Sequence, residues 1–218
     1  MQISQTILNE DVFTQSVRVL ANRDAHLAEA LKKYGTPPLW VREPGFPTLV
    51  YIILEQQVSL ASAKAAFDRL NAAVRPLTPR GFLKLTDIEL KRIGFSRQKT
   101  LYTRLLAESL FRRHFDLRYL HELHDDAARK MLTAFKGIGN WTADIYLLSA
   151  LRRPDIWPVG DLALATAVKE VKRLRSRPSP EKLEKLSWPW RPYRAVAARL
   201  FWHAYLCKRG QNSATISL

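Results

Sequence analysis

Apolar residues recur at helical spacing along most of this chain, and no other feature constrains its fold as strongly. Phe13, Val17 and Leu20, for example, fall on one face of a helix. Sustained alternation of apolar and polar residues, which is typical of half-buried strands, is absent. The sequence therefore predicts an all-α protein, with helices marked by the segments Phe13–Leu20, Leu27–Tyr34, Pro47–Leu54, Ser59–Leu70, Thr86–Glu89, Ser96–His114, Asp125–Phe135, Asn140–Leu151, Leu162–Leu174, Pro180–Leu186 and Pro192–Cys207.

The charge balance restricts the kind of partner. Among 218 residues, 35 lysines and arginines stand against 20 acidic residues, a formal net charge of +15. This excess favours nucleic acid or an anionic membrane surface. The single cysteine excludes a disulfide framework and a cysteine-ligated zinc or iron–sulfur site. No membrane-length apolar run and no signal-peptide pattern occur, so we expect a soluble, intracellular protein, in the cytoplasm or nucleoid if the source is bacterial.

A Gly-x-Gly turn separates two of the predicted helices. Gly137 and Gly139 flank Ile138, which can fill the groove between the helices, and glycine permits the positive φ that a tight turn needs. Asn140 can cap the second helix and leave its first N–H groups free for an anion. The turn would then grip a DNA phosphate, with Lys136 as a further contact, directly or through a monovalent cation held by turn carbonyls. The alternative is an ordinary helix–helix turn, since an isolated Gly-x-Gly is a weak signal.

Four ordered segments resemble a known family. They are Leu132–Ala143, which holds the turn, Ile53–Ser59 (Ile-Leu-Glu-Gln-Gln-Val-Ser), Val159–Asp161 and Trp190–Ala197. Together they resemble the helix-hairpin-helix DNA glycosylase superfamily with a Gly/Pro-rich loop and a catalytic aspartate, and within it the 3-methyladenine DNA glycosylase II branch. The resemblance runs from Phe46 to Cys207. One departure is Glu55, where the family usually has glycine.

The resemblance implies a two-lobed helix-hairpin-helix glycosylase fold with a DNA-binding cleft between the lobes. One lobe would comprise 1–45 and 155–218, and the other 46–154 with the hairpin. The N-terminal β domain of the related glycosylase II is expected to be missing, because the residues before Phe46 have a helical pattern. The implied partner is double-stranded DNA with damaged bases, bound by a monomer without a cofactor and without a membrane.

Asp161 directly precedes a predicted helix, so it can act as the N-cap of that helix. A carboxylate fixed there also suits cleavage of an N-glycosidic bond, because that reaction leaves positive charge on the deoxyribose. By resemblance Asp161 is the catalytic aspartate, which stabilises the oxocarbenium-like transition state and orients or deprotonates the attacking water. Related bifunctional enzymes have a Schiff-base lysine at a hairpin position that is Trp141 here. We therefore expect a monofunctional glycosylase that leaves an abasic site.

The remaining site residues are expected around the flipped base and along the DNA. An alkylated purine carries positive charge, so it leaves readily and binds well against aromatic faces. The base pocket is expected to contain Trp141, Trp190, Tyr193 and Ile145. Other expected DNA contacts are Gln56, Gln57, Ser59, Arg97 and Lys99, with Gln56 or Gln57 filling the gap left by the flipped base. The alternative roles are core packing for the tryptophans and helix capping for the glutamines.

The leading hypothesis is removal of alkylated purines, of the 3-methyladenine and 7-methylguanine class, in base excision repair. A basic run beyond Asp161 would add phosphate contacts: Lys169, Lys172, Arg173, Arg175 and Arg177. Three alternatives stay open. The chain can be a non-enzymatic DNA-binding module, a glycosylase with lyase activity, or a glycosylase for uracil, hypoxanthine or ethenoadenine.

Overall fold

The computed structural model describes residues 7–211, and no strand occurs within this range. The prediction of an all-α protein is confirmed. The chain also forms two 3₁₀ turns, Leu117–Glu122 and Trp188–Trp190. The α-helices are α1 Glu10–Arg23, α2 Ala25–Tyr34, α3 Phe46–Glu55, α4 Leu60–Ala73, α5 Pro79–Leu83, α6 Asp87–Ile93, α7 Arg97–Phe111, α8 Asp125–Thr133, α9 Asn140–Ser149, α10 Leu162–Val171, α11 Pro180–Ser187 and α12 Arg194–Lys208.

Short polar side chains start several of these helices. Thr86 and Glu89 form the reciprocal capping box that the sequence indicates, since each side chain accepts a hydrogen bond from the other residue's backbone N–H. Ser59 caps α4 by accepting from Ser62 N at 3.2 Å. Helix α5 was not predicted, because a helix of 5 residues is too short to show a hydrophobic period.

The chain divides into two compact units. The terminal unit is Met1–Arg42 with Leu147–Leu218, of which 7–42 and 147–211 are described, and the central unit is Glu43–Tyr146. One boundary lies inside α9, because the last turn of α9 is bonded to residues of the terminal unit. Ser149 O accepts from Arg42 N at 3.1 Å, and Leu148 O accepts from Arg199 Nη2 at 2.8 Å. The division into 1–45 plus 155–218 and 46–154 stays a prediction.

Helix α12 forms the centre of the terminal unit. Every residue from Ala195 to Ala204 is buried, and the helix packs against α10, α2 and α1. The rings of Trp157, Trp190 and Phe201 meet in a cluster with centroids 5.0 to 6.3 Å apart. Such tilted aromatic pairs add favourable contact to a large area of buried surface.

A fully buried arginine joins three segments of the terminal unit. Arg199 is 0% exposed, and its guanidinium donates to Leu39 O at 2.6 Å, Leu148 O at 2.8 Å and Ala195 O at 3.0 Å. Burial lowers the pKa of Arg199 to about 9, which leaves the side chain charged at neutral pH. The backbone carbonyls supply the hydrogen bonds that make this burial tolerable.

Helix α3 forms the centre of the central unit and packs against α4 and α7. Seven of the 10 residues of α3 are Phe, Leu, Val, Tyr or Ile, so apolar side chains cover more than one face of the helix. This pattern favours burial on all sides. Leu49, Ile52 and Ile53 are 0% exposed. The half-buried Tyr51 stacks on Phe67 of α4 with ring centroids 4.6 Å apart. The prediction of a buried central helix is therefore confirmed.

Asp24 anchors several elements of the terminal unit. Its Oδ1 caps α2 by accepting from His26 N at 3.0 Å and Leu27 N at 3.4 Å. Its Oδ2 accepts from Lys172 Nζ and from Trp190 Nε1, both at 2.9 Å. Burial alone would raise the pKa of Asp24, but the hydrogen bonds from Lys172 and Trp190 outweigh burial, so the pKa is lowered from 3.8.

We expect Asp24→Asn to reduce the free energy of unfolding by about 1–3 kcal/mol at pH 7, because a charge-assisted network loses its anion. Because the pKa of Asp24 is lower in the folded protein than its unfolded value of 3.8, ionised Asp24 stabilises the fold at pH values above 3.8. This contribution disappears as the pH falls through the lowered folded-state pKa. Urea denaturation of both proteins at pH 7 and pH 3 measures the difference. A destabilisation that is as large at pH 3 as at pH 7 would contradict the electrostatic role.

Candidate functional site

The turn between α8 and α9 has the backbone that a tight helix–helix hairpin requires. Gly137 has φ +93°, and a Cβ at this position would overlap the ring of Tyr102 on α7. Ile138 is 3% exposed and plugs the hairpin as predicted. Gly139 is exposed, and its carbonyl accepts from Ala143 N at 3.0 Å, so Gly139 occupies the capping position of α9. Asn140 therefore lies in the first turn of α9, and its prediction as the cap is wrong by one residue.

Gln56, predicted as a DNA contact, is instead bound to the hairpin. Its Nε2 donates to Gly137 O and to Thr142 Oγ1, both at 2.9 Å. The amide thus joins the end of α3 to both sides of the turn. The carbonyl of Gly137 in the hairpin already accepts a hydrogen bond from this amide. Both amide hydrogen atoms of Gln56 are thus used inside the protein, and its DNA contact stays a prediction.

Lys99, also predicted as a DNA contact, supports the same segment. Its Nζ donates to Leu54 O at 2.7 Å and to Gln56 O at 2.9 Å, two carbonyls that lie at the end of α3. Burial lowers the pKa of the Lys99 ammonium. Two of the three N–H donors of the ammonium thus satisfy carbonyls that the helix end leaves without helical partners, and the DNA contact of Lys99 stays a prediction.

Gln57 is the glutamine that projects from this turn. Its side chain is exposed, and its φ of +58° lies in the left-handed region that non-glycine residues rarely adopt. Strained backbone of this kind is enriched at ligand-binding sites. Of the two glutamines, the geometry therefore favours Gln57 as the residue that fills the gap left by a flipped base. Ser59, two residues later, is exposed and caps α4, which leaves its predicted DNA contact untested.

The two glutamines are expected to differ in what their loss affects. Gln56→Ala removes both bonds to the hairpin, so we expect a lower melting temperature and weaker DNA binding together. Gln57→Ala removes an exposed side chain, so we expect an unchanged melting temperature and a DNA affinity lower by about tenfold, as for loss of one well-made contact. Thermal denaturation and fluorescence anisotropy with an abasic-site duplex measure the pair. Equal thermal effects in both variants would contradict the assignment.

Sequence reasoning missed an ion pair that braces the hairpin. Arg129 on α8 donates from Nε to Asp144 Oδ1 on α9 at 2.6 Å and from Nη1 to Asp126 Oδ1 at 2.7 Å. Asp144 is 5% exposed. Burial alone would lower the pKa of Arg129, but the neighbouring carboxylates of Asp144 and Asp126 outweigh burial and raise this pKa. Opposite charges on the inner faces of two helices that flank one turn were the signal available in the sequence.

Asp161 lies at the start of α10, where its Oδ1 accepts from Leu164 N at 2.6 Å. The prediction that Asp161 is the N-cap of this helix is confirmed. A second donor reaches the same oxygen: the indole Nε1 of Trp202 on α12 is 3.2 Å from Oδ1. The residue that follows, Leu162, is 67% exposed. Asp161 is therefore held in place from two helices and is partly open to solvent.

The predicted pocket residues have different surroundings. Trp190 is 1% exposed, its ring lies in the cluster with Trp157 and Phe201, and its Nε1 donates to Asp24. The carboxylate of Asp24 satisfies the indole N–H inside the core, and the pocket role of Trp190 stays a prediction. Trp141 and Tyr193 are partly exposed, whereas Ile145 is 8% exposed. The pocket roles of these three residues stay predictions.

The basic residues also differ in availability. Lys136 and Arg97 are exposed, as phosphate contacts must be. In the basic run after Asp161, Lys172 is paired with Asp24, and Arg173 donates to Glu29 at 2.6 Å. Arg175 and Arg177 are exposed at the end of this run. Within this run, the predicted electrostatic contact with DNA therefore depends on Arg175 and Arg177 more than on the paired Lys172 and Arg173.

Metal-binding clusters and membrane-spanning helices are both absent from residues 7–211. No cluster of three His, Cys, Asp or Glu side chains there is arranged to hold a metal ion. None of the helices in that range combines the length and apolar character that a membrane crossing requires. A monovalent cation at hairpin carbonyls, which would use backbone oxygens, stays a prediction.

A helix-hairpin-helix followed by a capped aspartate defines a class of DNA repair proteins, and comparison with known families gives the same result. The sequence model of HhH-GPD superfamily base excision DNA repair proteins matches residues 50–192, which include the hairpin and Asp161. This chain belongs to the HhH-GPD superfamily.

Relatives and solved structures extend the comparison. An alkylbase DNA glycosidase-like protein of Schizosaccharomyces pombe is 32% identical over 137 residues, which cover 62% of this chain and 64% of that protein. A DNA-3-methyladenine glycosylase of Bacillus subtilis is 25% identical over 185 residues, 79% of this chain and 59% of that protein. The chain thus spans less than two thirds of the length of either relative.

The likeness in structure covers most of the chain. A crystal structure of a DNA-3-methyladenine glycosidase from Bacillus halodurans has a TM-score of 0.73 and 27% identity, over 91% of this chain and 92% of that one. A Schizosaccharomyces pombe 3-methyladenine DNA glycosylase in complex with abasic DNA has a TM-score of 0.77 at 23% identity, over 86% and 95% of the two chains. The predicted helix-hairpin-helix glycosylase fold is confirmed.

Proposed function

We propose that this protein is a monofunctional DNA glycosylase that hydrolyses the N-glycosidic bond of alkylated purines. The observation that carries the proposal is Asp161, a partly exposed carboxylate whose position is fixed by N–H donors from two helices, in a chain of a base excision repair superfamily. The names of the relatives favour 3-methyladenine and similar alkylated bases as the substrate class.

The chemistry assigned to Asp161 is electrostatic. As the bond between base and sugar lengthens, positive charge grows on the deoxyribose ring, and a fixed carboxylate stabilises that charge without reorganising. The same carboxylate orients water for attack on the sugar carbon and can take its proton. An N3- or N7-alkylated purine is already cationic, so it departs as a neutral base and needs little help from a general acid.

The other assigned parts hold the DNA. A duplex base must leave the stack before a glycosylase can act on it. The hairpin, with Gly139 at the start of α9, presents backbone N–H groups to a phosphate. Lys136 and Arg97 add positive charge, and Gln57 fills the gap left by the flipped base. Trp141 and Tyr193 are the aromatic residues we propose for recognition of the cationic base, since an electron-rich ring attracts a cation.

Trp141 also determines which reaction follows base release. A lyase needs an amine at this hairpin position to form a Schiff base with the sugar, and an indole cannot do so. We therefore propose that the product is an intact abasic site. Borohydride treatment during turnover should trap no covalent protein–DNA adduct, whereas an adduct would assign lyase activity to another residue.

The test of the proposed function is base release. Duplex DNA carrying methylated purines is incubated with the purified protein, and the free bases are identified by chromatography. We expect 3-methyladenine and 7-methylguanine above the spontaneous rate, with a panel containing hypoxanthine, ethenoadenine and uracil duplexes to rank substrates. Binding without release of any base would favour the non-enzymatic module. Affinity for an abasic duplex should also fall steeply with salt, because phosphate contacts release counterions.

A further inference from the structure

Two hydrogen-bond donors meet at one oxygen of Asp161. Leu164 N lies 2.6 Å from Oδ1 and comes from the first turn of α10, the helix that Asp161 caps. Trp202 Nε1 lies 3.2 Å from the same oxygen and comes from α12, 41 residues later in the chain. The first contact is the ordinary bond of an N-cap aspartate. The second is not required for capping.

Trp202 is held firmly enough to fix what it touches. Its side chain is 5% exposed, and it lies on α12, whose residues from Ala195 to Ala204 are all buried. Helix α12 packs against α10, the helix that Asp161 caps. The position of the indole N–H is therefore determined by the core of the terminal unit.

We propose that Trp202 is a positioning residue for the reaction, acting through the carboxylate of Asp161. This inference rests on the proposed function and extends it from Asp161 to the residue that donates to its carboxylate. A single capping bond restrains Oδ1 from one direction, but coupled rotation about Cα–Cβ and Cβ–Cγ can still tilt the carboxylate. A second donor from another helix restricts that rotation, and the resulting orientation determines where the negative charge faces the sugar.

The energetic reason is that transition-state stabilisation depends on orientation. A preorganised charge is effective because it needs no movement during the reaction, and small displacements of a reacting group lower rates strongly. A bond from an indole N–H to a carboxylate is charge-assisted and hence stronger than a bond between neutral groups. Loss of this donor should slow the chemical step and leave DNA binding nearly unchanged.

The terminal unit provides a matched control. Trp157 is 3% exposed, close to the exposure of Trp202, and its Nε1 donates to a backbone carbonyl, Leu183 O, at 3.2 Å. Trp157→Phe therefore removes the same chemical group, from a bond of the same length and a site of similar burial, without removing a contact to Asp161. Any rate loss that comes only from a weakened core should appear in both variants.

The experiment compares Trp202→Phe and Trp157→Phe with the unmodified protein. Single-turnover release of 7-methylguanine gives the rate of the chemical step, anisotropy with an abasic duplex gives the Kd, and thermal denaturation gives the folded fraction to which rates are normalised. We expect the rate of Trp202→Phe to fall by about tenfold, as for modest misplacement of a catalytic group, with Kd within about twofold of the unmodified protein. Trp157→Phe should keep its rate within about twofold.

A rate loss in Trp202→Phe that is less than about five times the loss in Trp157→Phe overturns the proposal, as does a loss that appears only as weaker binding. Trp202→Leu, which also lacks the donor, replaces Trp202→Phe if that variant does not fold. The outcome is separate from that of the proposed function. If the unmodified protein releases no base, the proposed function fails, whereas release by the unmodified protein with unchanged Trp202→Phe kinetics overturns only the role of Trp202.

Discussion

Asp161→Asn is expected to lower single-turnover base release by about a thousandfold, the upper range found when one transition-state stabilising group is removed. Asparagine is nearly isosteric and is itself a good N-cap, so α10 should keep its start and the fold its stability. The substitution removes the negative charge that is opposed to the oxocarbenium-like sugar. Release of 7-methylguanine from duplex DNA measures the rate, and binding to an abasic duplex should stay within about twofold.

Asp116→Asn is the matched control for this prediction. Asp116 is also an N-cap aspartate, accepting from Arg118 N at 2.9 Å, but it starts a 3₁₀ turn in the central unit. Its loss should leave base release unchanged. If Asp161→Asn retained release at a rate close to that of the unmodified protein, the catalytic role would be refuted and only the capping role would stand.

Gly137→Ala is expected to destabilise the hairpin and weaken DNA binding together. The residue has φ +93°, where a side chain adds about 1–2 kcal/mol of strain, and a Cβ there would overlap the ring of Tyr102. Overpacking of a filled site adds about 1–3 kcal/mol. We therefore expect the free energy of unfolding to fall by roughly 2–5 kcal/mol, the sum of these two ranges. Chemical denaturation and anisotropy with an abasic duplex measure both effects.

Gly139→Ala tests whether the two glycines have the same role. A Cβ at Gly139 meets nothing within 4 Å, and the residue does not have a positive φ. Its substitution should cost little stability, and any loss of DNA affinity would come from crowding of the exposed backbone that we propose faces a phosphate. A destabilisation equal to that of Gly137→Ala would contradict this division of roles.

Local patterns predicted the features that depend on neighbouring residues. The capping box of Thr86 and Glu89, the buried helix α3 and the cap formed by Asp161 each follow from spacing within a few residues. The hairpin was predictable for the same reason, since two helical patterns on either side of Gly-x-Gly leave only a short turn. The start of α9 at Asn140 was also predicted, but the capping residue is Gly139 rather than Asn140, because asparagine and glycine both suit a helix cap.

Contacts between distant residues were not predictable from these patterns. Gln56 and Gln57 are adjacent, yet the first donates to Gly137, 81 residues away, and the second is exposed. Lys99 resembles any basic residue at a helix start, yet its ammonium reaches carbonyls 45 and 43 residues earlier. Side-chain direction at such positions depends on which elements pack together, and local spacing carries no record of that packing.

The tryptophans show the difference between what local sequence patterns predict and what tertiary contacts add. Local patterns specify an all-helical chain with a hairpin and a capped aspartate, because helix periodicity, capping and turn chemistry depend on neighbouring residues. That Trp190 donates to Asp24 and Trp202 donates to Asp161 depends instead on how the helices pack together. Both side chains are large, apolar and on helical faces, and a buried indole N–H must find an acceptor. Which acceptor it finds depends on the helix packed against it, and that contact exists only in the folded protein.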